Sequence, residues 1–93
     1  MIPTRVIQSA NTLFEEAGGE GVLLNLETER YYILDDVGVR MWQELAESGD
    51  VIVAAEKLLA EFDVDRDILL QDMVRLIAEL EEVGLVVVGQ AES

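Results

Sequence analysis

The stretch GVLLNLETERYYILD, residues 21–35, decides the fold. It contains two short apolar runs, residues 21–26 and 30–34, which are separated by three polar residues. Short runs rich in Val, Ile and Tyr, with a few turn residues between them, are typical of paired antiparallel strands. A further run, Thr12–Ala17, precedes them and ends at two glycines. Together the three runs predict a three-stranded antiparallel meander.

The third predicted strand has two different faces. Side chains alternate across a strand, so Arg30, Tyr32 and Leu34 share one face. Tyr31 and Ile33 share the other.

Beyond Asp36 the apolar residues recur with the period of a helix rather than a strand. We predict one helix between Asp36 and Gly49, a second over 50–62 and a third over 66–83, because each has an aspartate at its start that can cap it. The cap is Asp35 or Asp36 for the first helix, Asp50 for the second and Asp65 for the third. Residues 85–88 form an apolar segment that either adds a strand or packs on the core, and residues 90–93 should fray. The apolar stripe of the first helix consists of Gly38, Met41, Trp42 and Leu45.

The third helix carries more apolar surface than docking on one core requires. Either both of its seams are buried within the domain, or the second lies beside a sheet edge and leaves an apolar groove for a partner. The first seam consists of Leu69, Met73, Leu76, Leu80 and Val83. The second, about 100° around the helix axis, consists of Leu70, Val74 and Ile77.

Composition excludes most kinds of chemistry. The chain has 93 residues, no cysteine and no histidine, so it has no disulfides, no thiolate nucleophile and no Cys/His zinc site. The commonest general base is also missing. The hydrophobic content of 51% argues against disorder. We expect one domain over 1–93, with an ordered core over about 5–88, and neither catalysis nor a cofactor.

Twenty acids against six bases give a formal net charge of −14. Such a field repels phosphate backbones and anionic membranes, so we expect neither a nucleic-acid nor a membrane partner. A basic partner is compatible with it, although an acidic surface can also serve solubility alone. No spanning segment or signal peptide is visible, which predicts a cytoplasmic protein. Self-repulsion favours a monomer or a weak homodimer.

One acidic motif imitates a metal site. Asp63, Asp65 and Asp67 have the opening spacing of a calcium-binding loop. That loop needs glycine at its sixth position and glutamate at its twelfth, where this chain has Ile68 and Val74. We therefore expect no metal site, and assign Asp65 to helix capping.

The second and third predicted helices have helix-turn-helix proportions, and the preceding meander would serve as a wing. The expected fold is α+β: a winged helix-turn-helix with a three-stranded antiparallel N-terminal sheet followed by three helices. A DNA reader would place bases on the outer face of the third helix. That face offers Asp72, Glu79 and Glu82 against Arg75, which excludes DNA as the expected ligand.

The order and spacing of four segments resemble the PqqD-like family. They are GVLLNLETERYYILD (21–35), VGVRMW (37–42) with Leu45, LAEFDVD (59–65) and LEEVGL (80–85), within a region over 12–88. Two positions depart from the family pattern: Glu29 stands where glycine is usual, and Asp35 where asparagine is usual.

The resemblance implies a RiPP recognition element, a small winged-helix module that binds the leader segment of a ribosomally made precursor peptide. In that family the leader adds an antiparallel strand beside the third strand, and its apolar side chains enter between that strand and the third helix. By position, the implied strand edge consists of Arg30, Tyr31, Tyr32, Ile33 and Leu34. The implied groove wall consists of Leu70, Met73, Val74 and Ile77. Because this wall overlaps the second seam, the resemblance favours the groove over a fully buried helix.

The resemblance also implies partners. The module would present the precursor to a separate modifying enzyme or leader peptidase. Lasso-peptide pathways are favoured over the quinone cofactor route, in which PqqD works with a radical enzyme. A winged-helix regulator and a dimerisation module remain alternatives of another class.

Overall fold

The expected meander and three helices are present in a computed structural model that describes residues 5–89. The predicted fraying of residues 90–93 lies outside that range. In chain order the elements are β1 (Arg5–Gln8), β2 (Thr12–Ala17), β3 (Glu20–Asn25), β4 (Tyr31–Leu34), α1 (Asp36–Ser48), α2 (Val51–Glu61), α3 (Arg66–Glu82) and β5 (Val86–Gly89). None of the described helices combines the length and apolarity needed to cross a bilayer.

The meander has the strand order β2-β3-β4 with antiparallel pairing throughout. Gly18 and Gly19 both have positive φ, which suits the two-residue turn between β2 and β3. The turn between β3 and β4 places Glu29 at φ 65, a left-handed conformation that side chains with a Cβ rarely adopt. Glutamate therefore takes the conformation that glycine would adopt without strain.

A second sheet was not predicted. β1 pairs with β5 in an antiparallel ladder, from Arg5 opposite Gly89 to Gln8 opposite Val86. From the sequence, residues 85–88 were expected either to form a strand or to pack on the core, and no element was predicted for residues 5–8. A four-residue strand becomes recognisable only beside its partner, which here is about eighty residues away along the chain.

Aspartates begin all three helices, as predicted. Asp35 Oδ1 accepts a hydrogen bond from the Gly38 N–H at 2.7 Å, so aspartate caps as asparagine would. Asp50 and Asp65 cap α2 and α3 in the same way, through N–H groups of the first turn. Gly49, in the left-handed conformation, ends α1.

The elements pack around one core, in which α1 and α2 pack closely on each other. β3 and β4 pack mainly on α1, whose predicted stripe is fully buried, whereas α3 packs mainly on α2 and β5. The first seam of α3 is buried except for Val83, which is half-buried. β4 and α3 thus pack on different elements, and the candidate site lies where they meet.

Candidate functional site

The outer edge of β4 is open. β4 pairs with β3 on one side, and within residues 5–89 no strand lies on its other side. A 2.8 Å bond from the Asn25 N–H to the Arg30 carbonyl sets the phase of the ladder. Backbone groups alternate in direction along an antiparallel strand, so Tyr32 and Leu34 bond to β3. The backbone N–H and C=O groups of Tyr31 and Ile33 consequently point away from the sheet.

The side chains of β4 alternate as predicted. Leu34 is 2% exposed and belongs to the core, and Tyr32 is half-buried beside it. Tyr31 and Ile33 are 63% and 57% exposed on the outer face of the sheet. The exposed Arg30 precedes the strand. A peptide at this edge would thus find backbone groups at Tyr31 and Ile33, with Tyr32 beneath them.

The outward face of α3 forms an open cavity of about 520 Å³. Leu70 and Val74, two of the four predicted wall residues, line it and are half-buried. Among residues 5–89 the lining consists of Asp67, Leu70, Gln71, Val74, Arg75 and Ala78.

The other two predicted wall residues do not reach this cavity. Met73 is 0% exposed and Ile77 is 1% exposed, so both belong to the core. Ile77 is four residues after Met73 and three before Leu80, and therefore shares their buried face. The second seam is split: Leu70 and Val74 face outward, while Ile77 faces inward.

β4 touches α3 on the flank beside the cavity. The Tyr32 hydroxyl donates to the Glu79 carboxylate, with O···O distances of 3.1 and 3.2 Å. Leu76 joins Tyr32, Ile33 and Leu34 around a smaller hollow of about 280 Å³. A strand added to β4 would lie about 4.8 Å further out. Arg75 and Ala78, which line the cavity, are each next along α3 to a residue that meets β4, Leu76 or Glu79.

The charges at this site are mostly acidic. Burial, followed by the hydrogen bond to Glu79, raises the pKa of Tyr32. Arg75, which lines the cavity, slightly opposes that shift. Arg75 is itself paired with Asp72 at 2.6 Å. With Asp67 at one end of the cavity, the excess of carboxylates suits a ligand that carries Lys or Arg.

Four residues of the cavity, and the contact between Tyr32 and Glu79, were not predicted from the sequence. Asp67, Gln71, Arg75 and Ala78 recur at spacings of four, four and three residues, so they share a helix face with Val74. The apolar pattern did not reveal this face because half of its members are charged or amide side chains. A search for any outward stripe beside the apolar seam would have found it.

The family model described as coenzyme PQQ synthesis protein D (PqqD) matches residues 20–86. The chain belongs to the PqqD family. A search of curated proteins found no match.

Two solved structures share this PqqD fold. TbiB1, in complex with the TbiA(beta) leader peptide, is 30% identical with a TM-score of 0.80, and the match covers 91% of this chain and 98% of TbiB1. A lasso peptide synthetase B1, complexed with the leader peptide, is 22% identical with a TM-score of 0.78, covering 89% and 98%. The family expectation drawn from the sequence is confirmed, together with the three-stranded antiparallel sheet and three helices.

Proposed function

We propose that this protein binds the leader segment of a ribosomally synthesised precursor peptide, by adding it as a strand to the open edge of β4. One observation carries the proposal: the unpaired edge of β4 lies beside the open cavity on α3. Strand addition satisfies open backbone groups, and side-chain pockets beside the edge supply specificity. The 30% identical relative TbiB1, which matches over nearly its whole length, is a leader-peptide complex and supports this choice of ligand.

The proposed contacts divide into two kinds. Backbone groups of Tyr31 and Ile33 pair with the leader, flanked by Arg30, Tyr32 and Leu34. Apolar leader side chains enter the cavity against Leu70 and Val74, and each contributes about 1.5–3 kcal/mol when fully buried. After the cost of ordering a flexible peptide, we expect a dissociation constant of about 1 μM, or roughly −8 kcal/mol.

The proposed role is that of a non-catalytic peptide chaperone. The chain, taken as one winged helix-turn-helix domain, holds the precursor and presents it to a separate modifying enzyme or leader peptidase, whose local substrate concentration rises as a result. We favour a lasso-peptide pathway, because this single domain covers 98% of each of the two matching leader-peptide complexes, and one of them is a lasso peptide synthetase B1. The family description keeps the quinone cofactor route as the second candidate.

The test uses the leader of the short precursor encoded beside this chain, here called the cognate leader, as a synthetic fluorescent peptide. Anisotropy should report one-to-one binding near the affinity given above. A peptide of the same composition in scrambled order is the matched control, because it keeps the charge and loses the spacing of the anchors. Equal binding of both peptides would mean that charge alone drives the interaction. No binding of either peptide would contradict the proposed function.

A further inference from the structure

The candidate site has two sides, β4 and α3, and contacts between them maintain their spacing. β4 packs on β3 and α1, α3 packs on α2 and β5, and α1 and α2 pack closely on each other. The spacing between β4 and α3 is therefore set by this helix packing together with the side chains that join the sheet directly to α3. Tyr32 and Glu79 make one such contact halfway along the site.

A second crossing contact is made by Asn25, at the end of β3. Its side chain is almost fully buried, with the residue 7% exposed. Nδ2 donates to the Val83 carbonyl at 3.3 Å and to the Gly84 carbonyl at 3.1 Å, at the C-terminal end of α3. The carbonyl of Val83, the C-cap, is one of the last four that a helix leaves without internal partners, and Gly84 follows it directly. Asn25 thus satisfies the end of α3 from the sheet side.

The same side chain also shapes the turn that leads into β4. Asn25 Oδ1 accepts from the Glu27 N–H at 2.9 Å and from the Thr28 N–H at 3.2 Å. An amide side chain has two N–H donors and one oxygen with two lone pairs, so all of its capacity is used. One buried side chain is bonded simultaneously to the turn between β3 and β4 and to the end of the cavity helix.

We infer that Asn25 is a positioning residue that fixes the spacing of β4 and α3, and thereby sets the affinity for the leader. This inference rests on the proposed function. A groove whose walls are already held apart at the bound distance spares the complex the cost of ordering them. Without the bonds from Nδ2, the end of α3 is released from the β3–β4 turn, and part of the binding free energy goes into restoring the spacing.

Asn25→Asp tests this inference with almost no change of shape. The aspartate keeps an acceptor for the two turn N–H groups, loses both donors, and sets a negative charge against helix carbonyls. We expect the dissociation constant for the fluorescent cognate leader to rise about ten-fold, measured where the variant is fully folded. Amide shifts over residues 67–78 should move in the leader-free protein as well.

Asp50→Ala is the matched control, because it removes the N-cap of α2 and lowers stability away from the site. Its leader affinity should stay within about two-fold of the parent. An Asn25→Asp variant that binds like Asp50→Ala would overturn the inference, and would leave Asn25 a role in stability alone. If the parent itself fails to bind the leader, the proposed function fails instead, so the two failures are distinct.

Gly84→Ala perturbs the same contact from the helix side. An added Cβ would lie 2.9 Å from Asn25 Nδ2, and Gly84 has φ +80, so the end of α3 must shift. We expect weaker leader binding here too, which carries the test if Asn25→Asp does not fold. Unfolding of both variants would also overturn the inference, because the contact would then be required for the fold itself.

Discussion

At the scale of single residues, Glu29 carries strain that glycine would remove. Its φ of 65 falls in the left-handed region, at the position where the family resemblance leads one to expect glycine. That conformation costs a residue with a Cβ about 1 kcal/mol. We predict that Glu29→Gly raises the free energy of unfolding by roughly that amount, less the extra entropy of glycine in the unfolded chain.

Urea denaturation measures this change. Glu29→Ala is the control, since it removes the same charge but retains the Cβ, and should gain little. An equal gain in both variants would assign the effect to charge rather than to backbone conformation.

Val74 lies in the candidate site and Ile77 lies in the core, so the same substitution should affect them differently. Val74 lines the cavity, so Val74→Asp should weaken binding of the cognate leader at least about ten-fold while circular dichroism stays helical. Ile77 is 1% exposed, so Ile77→Asp should unfold the protein instead of only abolishing binding. The matched control is Val53→Asp, the same change at an exposed position of α2, with affinity unchanged. Normal leader binding by a folded Val74→Asp variant would mean that the leader does not enter the cavity.

The contrast between these two residues shows what the sequence could predict. Helix caps at Asp35, Asp50 and Asp65 depend on contacts within one turn, and they were predicted, with Asp35 as one of two candidates for the first helix. Whether an apolar position on α3 is buried depends on which flank β4 and β5 cover, and that information is not local. Met73 and Ile77 were therefore assigned to the groove when they belong to the core.

At the scale of elements, β4 and its open edge were predictable, and the second sheet was not. The alternation of Tyr31 to Leu34 is visible in the sequence, because one face is buried and the other is exposed. β1 and β5 lie at the two ends of the described chain, and no turn motif in the sequence indicates that these two segments pair. The contact of Tyr32 with Glu79 was also hidden, since it joins residues 47 positions apart.

The open edge makes Ile33→Pro an informative variant. Proline lacks an N–H, and the Ile33 N–H points away from β3, so the ladder between β3 and β4 keeps its bonds. We predict a folded protein with leader affinity reduced at least about ten-fold, measured by anisotropy. Ile33→Val is the control, because it retains the N–H and should bind normally. Unchanged affinity in Ile33→Pro would exclude pairing of the leader at this position.

The contact between β4 and α3 should respond to alkaline pH. Burial and Glu79 raise the pKa of Tyr32 above its usual value of 10.0. A raised folded-state pKa means that the contribution to stability is complete below pH 10, and is lost as the pH rises through the raised value. We predict that the stability difference between the parent and Tyr32→Phe shrinks across that range.

Urea unfolding of both proteins at several alkaline pH values measures this difference. Glu79→Gln is the control, because it removes the charge that disfavours a tyrosinate and should weaken the pH dependence. A difference that stays constant through the titration would mean that the hydroxyl does not act through Glu79.

At the scale of the whole molecule, the charge of −14 selects among partners. Four of the six basic side chains are paired with acids of this chain: Arg40, Lys57, Arg66 and Arg75. The remaining field repels nucleic acid and opposes close approach of a second copy. It also favours leaders that carry Lys or Arg, and speeds their encounter without supplying most of the affinity.

The central claim is that a leader peptide becomes the next strand beyond β4. Amide hydrogen exchange of the protein, with and without the cognate leader, tests it most directly. We expect new protection at Tyr31 and Ile33, whose N–H groups point to the open edge, while Tyr32 and Leu34, already bonded to β3, change little. Binding without protection at Tyr31 and Ile33, or with protection equal at all four, would contradict strand addition at this edge.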